Sequence, residues 1–132
     1  MTDINSIVVV AAIIKNENKI LITRKAQGKS NAGKWELPGG KVKDGEQEKS
    51  ALKREINEEL GILIDVEEFF MANRHSYHEI TIELRAYWCR YSGGTIKYTD
   101  HDRAEWVSAA DLSGYIFSAA DIAIIEKIQE RV

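Results

Sequence analysis

Residues 46–60 place a dense set of glutamates on one predicted helix. At about 100° per residue, Leu52, Ile56 and Leu60 form an apolar stripe, and most of the glutamates fall along one flank of it. Like charges three or four residues apart on a helix repel each other and destabilise it in isolation. We therefore predict a helix whose stripe packs on the core and whose carboxylates require a counterion.

These carboxylates follow a Gly-Gly turn at Gly39 and Gly40. Carboxylates together with a backbone carbonyl are the oxygen ligands that Mg²⁺ prefers, with water and substrate phosphates completing the shell. A solvated acidic face is the alternative for an arbitrary Glu-rich helix. The repulsive pairs beside the apolar stripe favour a metal site.

The remaining apolar runs predict an α/β domain, with helices covering a mixed sheet. The run at 7–14 is typical of a strand buried on both faces, and KNENK predicts a turn to its antiparallel partner at 19–23. A loop at 25–35 follows, and Gly61 is placed to end the helix. Further strands are predicted at 63–71, 79–91 and 104–107, a turn at 92–94, and an amphipathic helix at 118–131.

Chain length, net charge and the length of the apolar runs exclude several kinds of protein. A chain of 132 residues predicts one domain, spanning 1–132, and a net charge of −3 disfavours binding to polymeric nucleic acid. We expect no membrane span, because the apolar runs are too short, and a cytoplasmic location, because Asp3 stands where a secretory leader carries cations. The lone Cys89 is predicted to be a packed strand residue.

The spacing of glycine, glutamate and arginine resembles the Nudix box, G-x5-E-x7-R-E-U-x-E-E-x-G-U with U apolar, at every defined position. The matching residues are Gly40, Glu46, Arg54, Glu55, Ile56, Glu58, Glu59, Gly61 and Ile62. This resemblance implies an α/β/α sandwich with a mixed β-sheet. It also implies Mg²⁺- or Mn²⁺-dependent hydrolysis of a nucleoside diphosphate linked to another moiety.

Carried onto this chain, the resemblance implies metal binding by Glu55, Glu58, Glu59 and the carbonyl of Gly39. Metal ions there would position the phosphates and lower the pKa of an attacking water. Arg54 and Glu46 would orient the loop and helix rather than touch substrate.

A further carboxylate often comes from outside the box in this family. Asp100 is the candidate base or extra ligand, and its neighbours His101 and Asp102 are alternatives. A surface turn would explain all three residues equally well.

Outside the box, further stretches match almost from end to end: VVVAAII, KILITRK, GKWELPGGKV, AEWV and SAADIAIIEKI. With these stretches the chain resembles MutT-like nucleoside triphosphate pyrophosphohydrolases, and especially the bacterial CTP pyrophosphohydrolase branch. The resemblance implies a nucleoside monophosphate and pyrophosphate as products. The substrate would be CTP, dCTP, a modified pyrimidine triphosphate or 8-oxo-dGTP. The alternatives are hydrolysis of dinucleoside polyphosphates or ADP-ribose, and nucleotide or RNA binding without hydrolysis. We expect a monomer or a homodimer.

Asp121 stands where this group carries a base-reading residue in a loop before the last helix. A carboxylate accepts from the exocyclic amines of cytosine, guanine and adenine alike, so Asp121 alone does not choose the base. Helix capping is an equally good explanation of this residue. The other candidates for substrate contact are the cations Arg24, Lys25 and Lys41 for phosphates, and Leu37, Trp35 and Tyr77 for the base.

Overall fold

The structure is a computed structural model, and it describes residues 6–26, 28 and 32–131. Asp3 and part of the predicted loop at 25–35 lie outside these ranges. The strands are β1 (Ser6–Asn16), β2 (Lys19–Lys25), β3 (Trp35–Glu36), β4 (Gly39–Lys41), β5 (Ile62–Tyr77), β6 (Ile80–Gly94) and β7 (His101–Ser108). The helices are α1 (Glu48–Leu60) and α2 (Ala119–Glu130), and a 3₁₀ helix at Ala109–Gly114 precedes α2.

The strands form one seven-stranded mixed sheet. Its main order is β3-β2-β1-β6-β5, with β4 paired to β1 and β7 paired to β2. The β1–β6 pair is parallel, and the remaining pairs are antiparallel. Glu17 and Asn18 both have positive φ in the turn between β1 and β2, as a tight hairpin requires, so the predicted hairpin is confirmed.

The two faces of the sheet pack against different helices. Because side chains alternate along a strand, Val10, Ala12 and Ile14 join the stripe of α1, whereas Ala11 and Ile13 join the apolar face of α2. All five of these β1 residues are at most 1% exposed, which confirms the prediction of a strand buried on both faces. The fold is therefore the α/β/α sandwich with a mixed sheet that the resemblance implies.

The helix α1 buries Ala51, Leu52, Ile56 and Leu60, so the predicted stripe is confirmed. It ends at Gly61, whose φ of 71° is left-handed and whose amide donates to the carbonyl of Asn57. In the described ranges, neither helix is long and apolar enough to cross a membrane.

Several predicted boundaries are wrong. The helix begins at Glu48 rather than Glu46, because the Glu46 carboxylate lies in the preceding loop and accepts from the amide of Lys43. The predicted turn at 92–94 is instead the end of β6, where Gly93 and Gly94 pair with the start of β5. The reversal between β5 and β6 lies at His78, which has a positive φ, so both strands run further than their apolar cores suggest.

Candidate active site

A cavity of about 430 Å³ lies between the Gly-Gly strand, α1 and the beginning of α2. Its lining combines charged side chains and glycine backbone with apolar side chains and two buried polar groups. The charged and glycine members are Lys25, Glu36, Gly39, Gly40, Lys41, Glu55 and Glu59. The remaining members are Val9, Val10, Ala11, Leu37, Tyr77, Ile82, Leu84, Ser118, Ala120 and Asp121.

The two glycines of β4 allow the strand to approach both β1 and α1. Gly39 pairs with Ala11, and a Cβ added at Gly39 would lie 1.9 Å from the carbonyl oxygen of Val10. A Cβ added at Gly40 would lie 2.0 Å from Oε2 of Glu55. The absence of side chains here is what brings the Glu55 carboxylate against the β4 backbone.

We expect Gly40→Ala to lower kcat/KM of the enzymatic activity proposed below by about a hundredfold, because the new methyl group displaces the Glu55 carboxylate from the cavity. Gly114→Ala is the matched control, since a Cβ at Gly114 meets nothing within 4 Å. Steady-state kinetics on both variants, with thermal melts to verify folding, tests this expectation. Equal activity in the two variants would contradict it.

Arg54 connects the loop before α1 to the carboxylates of the helix. Its Nε and Nη2 donate to the two carboxylate oxygens of Glu46 at 2.8 and 2.9 Å, and its Nη1 donates to Glu55 and Glu58 at 3.0 Å each. Nη2 also donates to the carbonyl of Lys41 at 3.2 Å. The hydrogen bond from Arg54, with a second from the Lys43 amide, holds the pKa of the Glu46 carboxyl at about 2.

The Glu59 side chain is partly buried and has both acidic and basic neighbours. Burial raises the pKa of the Glu59 carboxyl, and the negative charges of Glu55 and Asp100 act in the same direction, against His101 and Lys25. His101 is 2% exposed; its Nε2 lies 2.7 Å from Oε2 of Glu36, and its Nδ1 lies 3.8 Å from Oε2 of Glu59. Burial and the neighbouring carboxylates therefore both disfavour the ionised form of Glu59 in the folded protein.

The donors at this position fit a divalent cation. Glu55 and Glu59 line the same cavity as the Gly39 backbone, and carboxylate and carbonyl oxygens are the donors that a divalent cation such as Mg²⁺ prefers. Among the described residues, no three His, Cys, Asp or Glu side chains already converge as a metal site. Glu58 points to Arg54 instead, and its side chain is 55% exposed.

Asp121 is a buried acidic residue that lines the cavity at the beginning of α2. It lies in the first turn of α2 rather than in a loop, and it is 5% exposed. Its Oδ2 accepts from the amide of Leu37 at 2.9 Å, so the capping explanation of this carboxylate is wrong. Burial raises the pKa of Asp121 to about 8, against the opposing hydrogen bond from Leu37.

The cavity gathers most of the residues that the sequence indicates, although not all of them. Lys25, Lys41 and Leu37 line it with Gly39, Glu55, Glu59 and Asp121, whereas Arg24, Arg54, Glu58 and Asp100 are absent from the described lining. Arg24 is engaged elsewhere: its Nε and Nη2 donate to Asp102 at 2.8 and 3.0 Å, and its guanidinium lies 6.0 Å from the Trp35 ring centroid.

Two aromatic candidates have contrasting positions. Trp35 belongs to the core, with its ring 5.1 Å from that of Tyr115. Tyr77 lines the cavity, and its hydroxyl accepts from the amide of Ala120.

Sequence reasoning missed two residues that line the cavity, Glu36 and Ser118. For Glu36 the only available signal is its place between Trp35 and Leu37, and for Ser118 it is the place of this residue at the start of the predicted helix at 118–131.

Comparison with known proteins finds relatives that match almost the whole chain. The chain is 36% identical over 118 residues to the CTP pyrophosphohydrolase of Escherichia coli K12, covering 89% of this chain and 87% of that protein. It is 31% identical over 122 residues to the 8-oxo-dGTP diphosphatase of the same strain, covering 92% and 95%. The crystal structure of a MutT protein from Methanosarcina mazei Go1 has a TM-score of 0.85 at 28% identity, covering 96% of this chain and 94% of that chain.

The family comparison covers nearly all of the sheet, α1 and most of α2. Residues 9–127 match the family described as NUDIX domain. This range includes the complete glycine, glutamate and arginine spacing and every described residue that lines the cavity. The chain therefore belongs to the Nudix family.

Proposed function

We propose that this protein is a metal-dependent nucleoside triphosphate pyrophosphohydrolase with a single catalytic domain. It converts its substrate to the nucleoside monophosphate and pyrophosphate by attack of water on a phosphoric anhydride. The observation that carries the proposal is a single cavity lined by Glu55, Glu59 and the Gly39–Lys41 backbone together with the buried Asp121. This arrangement offers metal and phosphate contacts and a base contact in one space.

Nudix hydrolases generally use divalent metals, and the oxygen donors of this chain fit Mg²⁺ or Mn²⁺. We assign the carboxylates of Glu55, Glu58 and Glu59 and the carbonyl of Gly39 as ligands. When bound, the metal would neutralise the phosphates and lower the barrier to attack by water. Glu58 is the member that has to exchange its contact with Arg54 for this role.

The surrounding groups hold these ligands and the phosphates. Arg54 positions Glu55 through the 3.0 Å contact of its Nη1 and is itself held by Glu46. Lys25 and Lys41 line the cavity and supply positive charge for the phosphates. Asp100 is the proposed base, and its negative charge is one of those that raise the pKa of Glu59.

The base-binding part of the proposal rests on Asp121 and Leu37. The amide of Leu37 fixes Oδ2 of Asp121, and the carboxyl group shares the cavity with the apolar side chain of Leu37. Relatives of this chain are named CTP pyrophosphohydrolase and 8-oxo-dGTP diphosphatase. We therefore propose CTP, dCTP, a modified pyrimidine triphosphate or 8-oxo-dGTP as the substrate.

A hydrolysis panel with chromatographic identification of every product tests this function, because ADP-ribose and a diadenosine polyphosphate release no free pyrophosphate when they are cleaved. The purified protein is incubated with CTP, dCTP, 5-methyl-dCTP, dGTP, 8-oxo-dGTP, ADP-ribose and a diadenosine polyphosphate, with Mg²⁺ or with EDTA. We expect turnover of one triphosphate above the others, monophosphate and pyrophosphate as products, and no turnover with EDTA.

The other results of the panel assign different functions. Turnover of ADP-ribose or the diadenosine compound alone would replace the substrate class. Nucleotide-dependent increases in melting temperature without any product would indicate a binding protein. Release of inorganic phosphate with a nucleoside diphosphate would contradict the proposed cleavage position.

A further inference from the structure

Ser118 carries a buried hydroxyl whose contacts are incomplete. The residue is 3% exposed, immediately precedes α2 and lines the cavity. Its Oγ has no hydrogen-bond partner among the described residues. Burying a hydroxyl without a partner is unfavourable, so native proteins supply such groups with a protein, water or ligand contact.

Other oxygen atoms already accept from the helix amides that a serine at this position usually caps. A serine before a helix normally accepts from the amide two or three residues later. Here the amide of Ala120 donates to the hydroxyl of Tyr77 at 3.0 Å, and the amide of Asp121 donates to the carbonyl of Ser118 at 2.9 Å. The Oγ of Ser118 makes no side-chain cap hydrogen bond within the described part of the chain.

The backbone that carries this hydroxyl is fixed from both sides. The amide of Ser118 donates to the carbonyl of Trp35 at 2.9 Å, and the amide of Trp35 donates to the carbonyl of Ile116 at 2.8 Å. The Asp121 carboxyl, one helical turn further on, is fixed by Leu37 at 2.9 Å. Hydrogen bonds therefore hold both the backbone of Ser118 and the carboxyl group of Asp121 beside the cavity, whereas the hydroxyl of Ser118 can still rotate toward a ligand.

We propose that the hydroxyl of Ser118 contacts the polar edge of the nucleobase beside Asp121 and thereby helps determine base specificity. The inference rests on the proposed function, which makes the ligand of this cavity a nucleotide. Nucleobase edges carry hydrogen-bond donors and acceptors next to each other. A serine hydroxyl both donates and accepts, so Ser118 supplies the contact adjacent to the atom that Asp121 reads.

The first test is Ser118→Ala, measured on the triphosphate that the wild type prefers and on the others. We expect KM for the preferred triphosphate to rise about tenfold or more, with kcat changed less than twofold, and the ranking of bases to flatten. Ser113→Ala is the matched control, because Ser113 is exposed and its hydroxyl contacts the carbonyl of Ala110. An unchanged KM and ranking would overturn the inference.

Folding is monitored separately. We expect the melting temperature of Ser118→Ala to equal or exceed that of the wild type, because the variant removes a buried hydroxyl without a partner. Ser118→Cys provides a second variant of similar size with a weak donor and is expected to have an intermediate KM. Wild-type kinetics in both variants would exclude the base contact.

Calorimetric binding of CMP, GMP, AMP and UMP separates this inference from the proposed hydrolysis. If the wild type cleaves no triphosphate but binds one monophosphate, a tenfold or greater weakening in Ser118→Ala supports the base contact without the enzymatic function. Unchanged binding overturns the base contact alone. If the wild type neither cleaves a triphosphate nor binds a monophosphate, both proposals fail.

Discussion

We expect Glu59→Gln to lower kcat of the Mg²⁺-dependent activity by at least about a hundredfold while the protein stays folded. The substitution keeps the size of the side chain and removes its charge. Glu59 lines the cavity and has carboxylate neighbours, so the ionised side chain contributes the charge that a divalent cation requires. Steady-state kinetics over a Mg²⁺ titration measures both the loss in rate and the weaker metal dependence.

The stability of the same variant provides a second readout. Because burial, Glu55 and Asp100 all raise the pKa of Glu59, its ionised form is disfavoured in the metal-free folded state. We therefore expect Glu59→Gln to melt at the same temperature as the wild type or higher without metal, and to gain less stability from added Mg²⁺.

The control for this variant is Glu126→Gln, an exposed glutamate of α2, which should match the wild type in rate and in metal response. Full activity in Glu59→Gln would remove this residue from the metal site. A fall in activity together with an unchanged Mg²⁺ stabilisation would instead give Glu59 a role that does not depend on metal.

Local patterns in the sequence predict the long elements of this fold. The stripe of α1 and the doubly buried run of β1 follow from residue periodicity, and Gly61 marks the end of α1 through its backbone conformation. The strands β3 and β4 have two and three residues, so they are too short to show any period. The parallel pairing of β1 with β6 depends on contacts that no local pattern contains.

The residues of the site also divide into those that local sequence patterns indicate and those that only distant contacts bring together. The glutamates of α1 and the glycines of β4 are close in sequence, and their spacing indicates a shared site. The contact between Leu37 and Asp121 joins residues 84 positions apart, and that between Glu36 and His101 joins residues 65 apart. Such contacts depend on how distant segments pack together, which explains why no local pattern places Glu36 or Ser118 in the cavity.

The second large effect that we expect concerns Asp121, and it is a change in the free energy of unfolding rather than in the rate. Its ordinary pKa of 3.8 is raised to about 8 in the folded protein, chiefly by burial. The unfolded chain therefore releases this proton near pH 4, whereas the folded protein keeps it until about pH 8. The contribution of Asp121 to the free energy of unfolding is full below pH 4, falls as the pH rises, and levels off above pH 8.

We expect Asp121→Asn to remove this pH dependence, because an asparagine does not ionise and its side-chain oxygen still accepts from the amide of Leu37. The difference between a pKa of 3.8 and one of about 8 corresponds to roughly 6 kcal/mol in the free energy of unfolding. The variant should therefore become increasingly more stable than the wild type as the pH rises from 5 to 8, with a constant difference above that. Urea unfolding of both proteins across this range measures the effect.

The control for the pH series is Asp111→Asn, an exposed aspartate in the first turn of the 3₁₀ helix, whose profile should run parallel to that of the wild type. Asp121→Ala separates charge from hydrogen bonding, since it also leaves the amide of Leu37 without its acceptor and should lose about 1–3 kcal/mol relative to Asp121→Asn at every pH. If the wild type and Asp121→Asn have parallel profiles, Asp121 ionises normally in the folded protein. The carboxyl group would then face the nucleobase as an anion that only accepts hydrogen bonds.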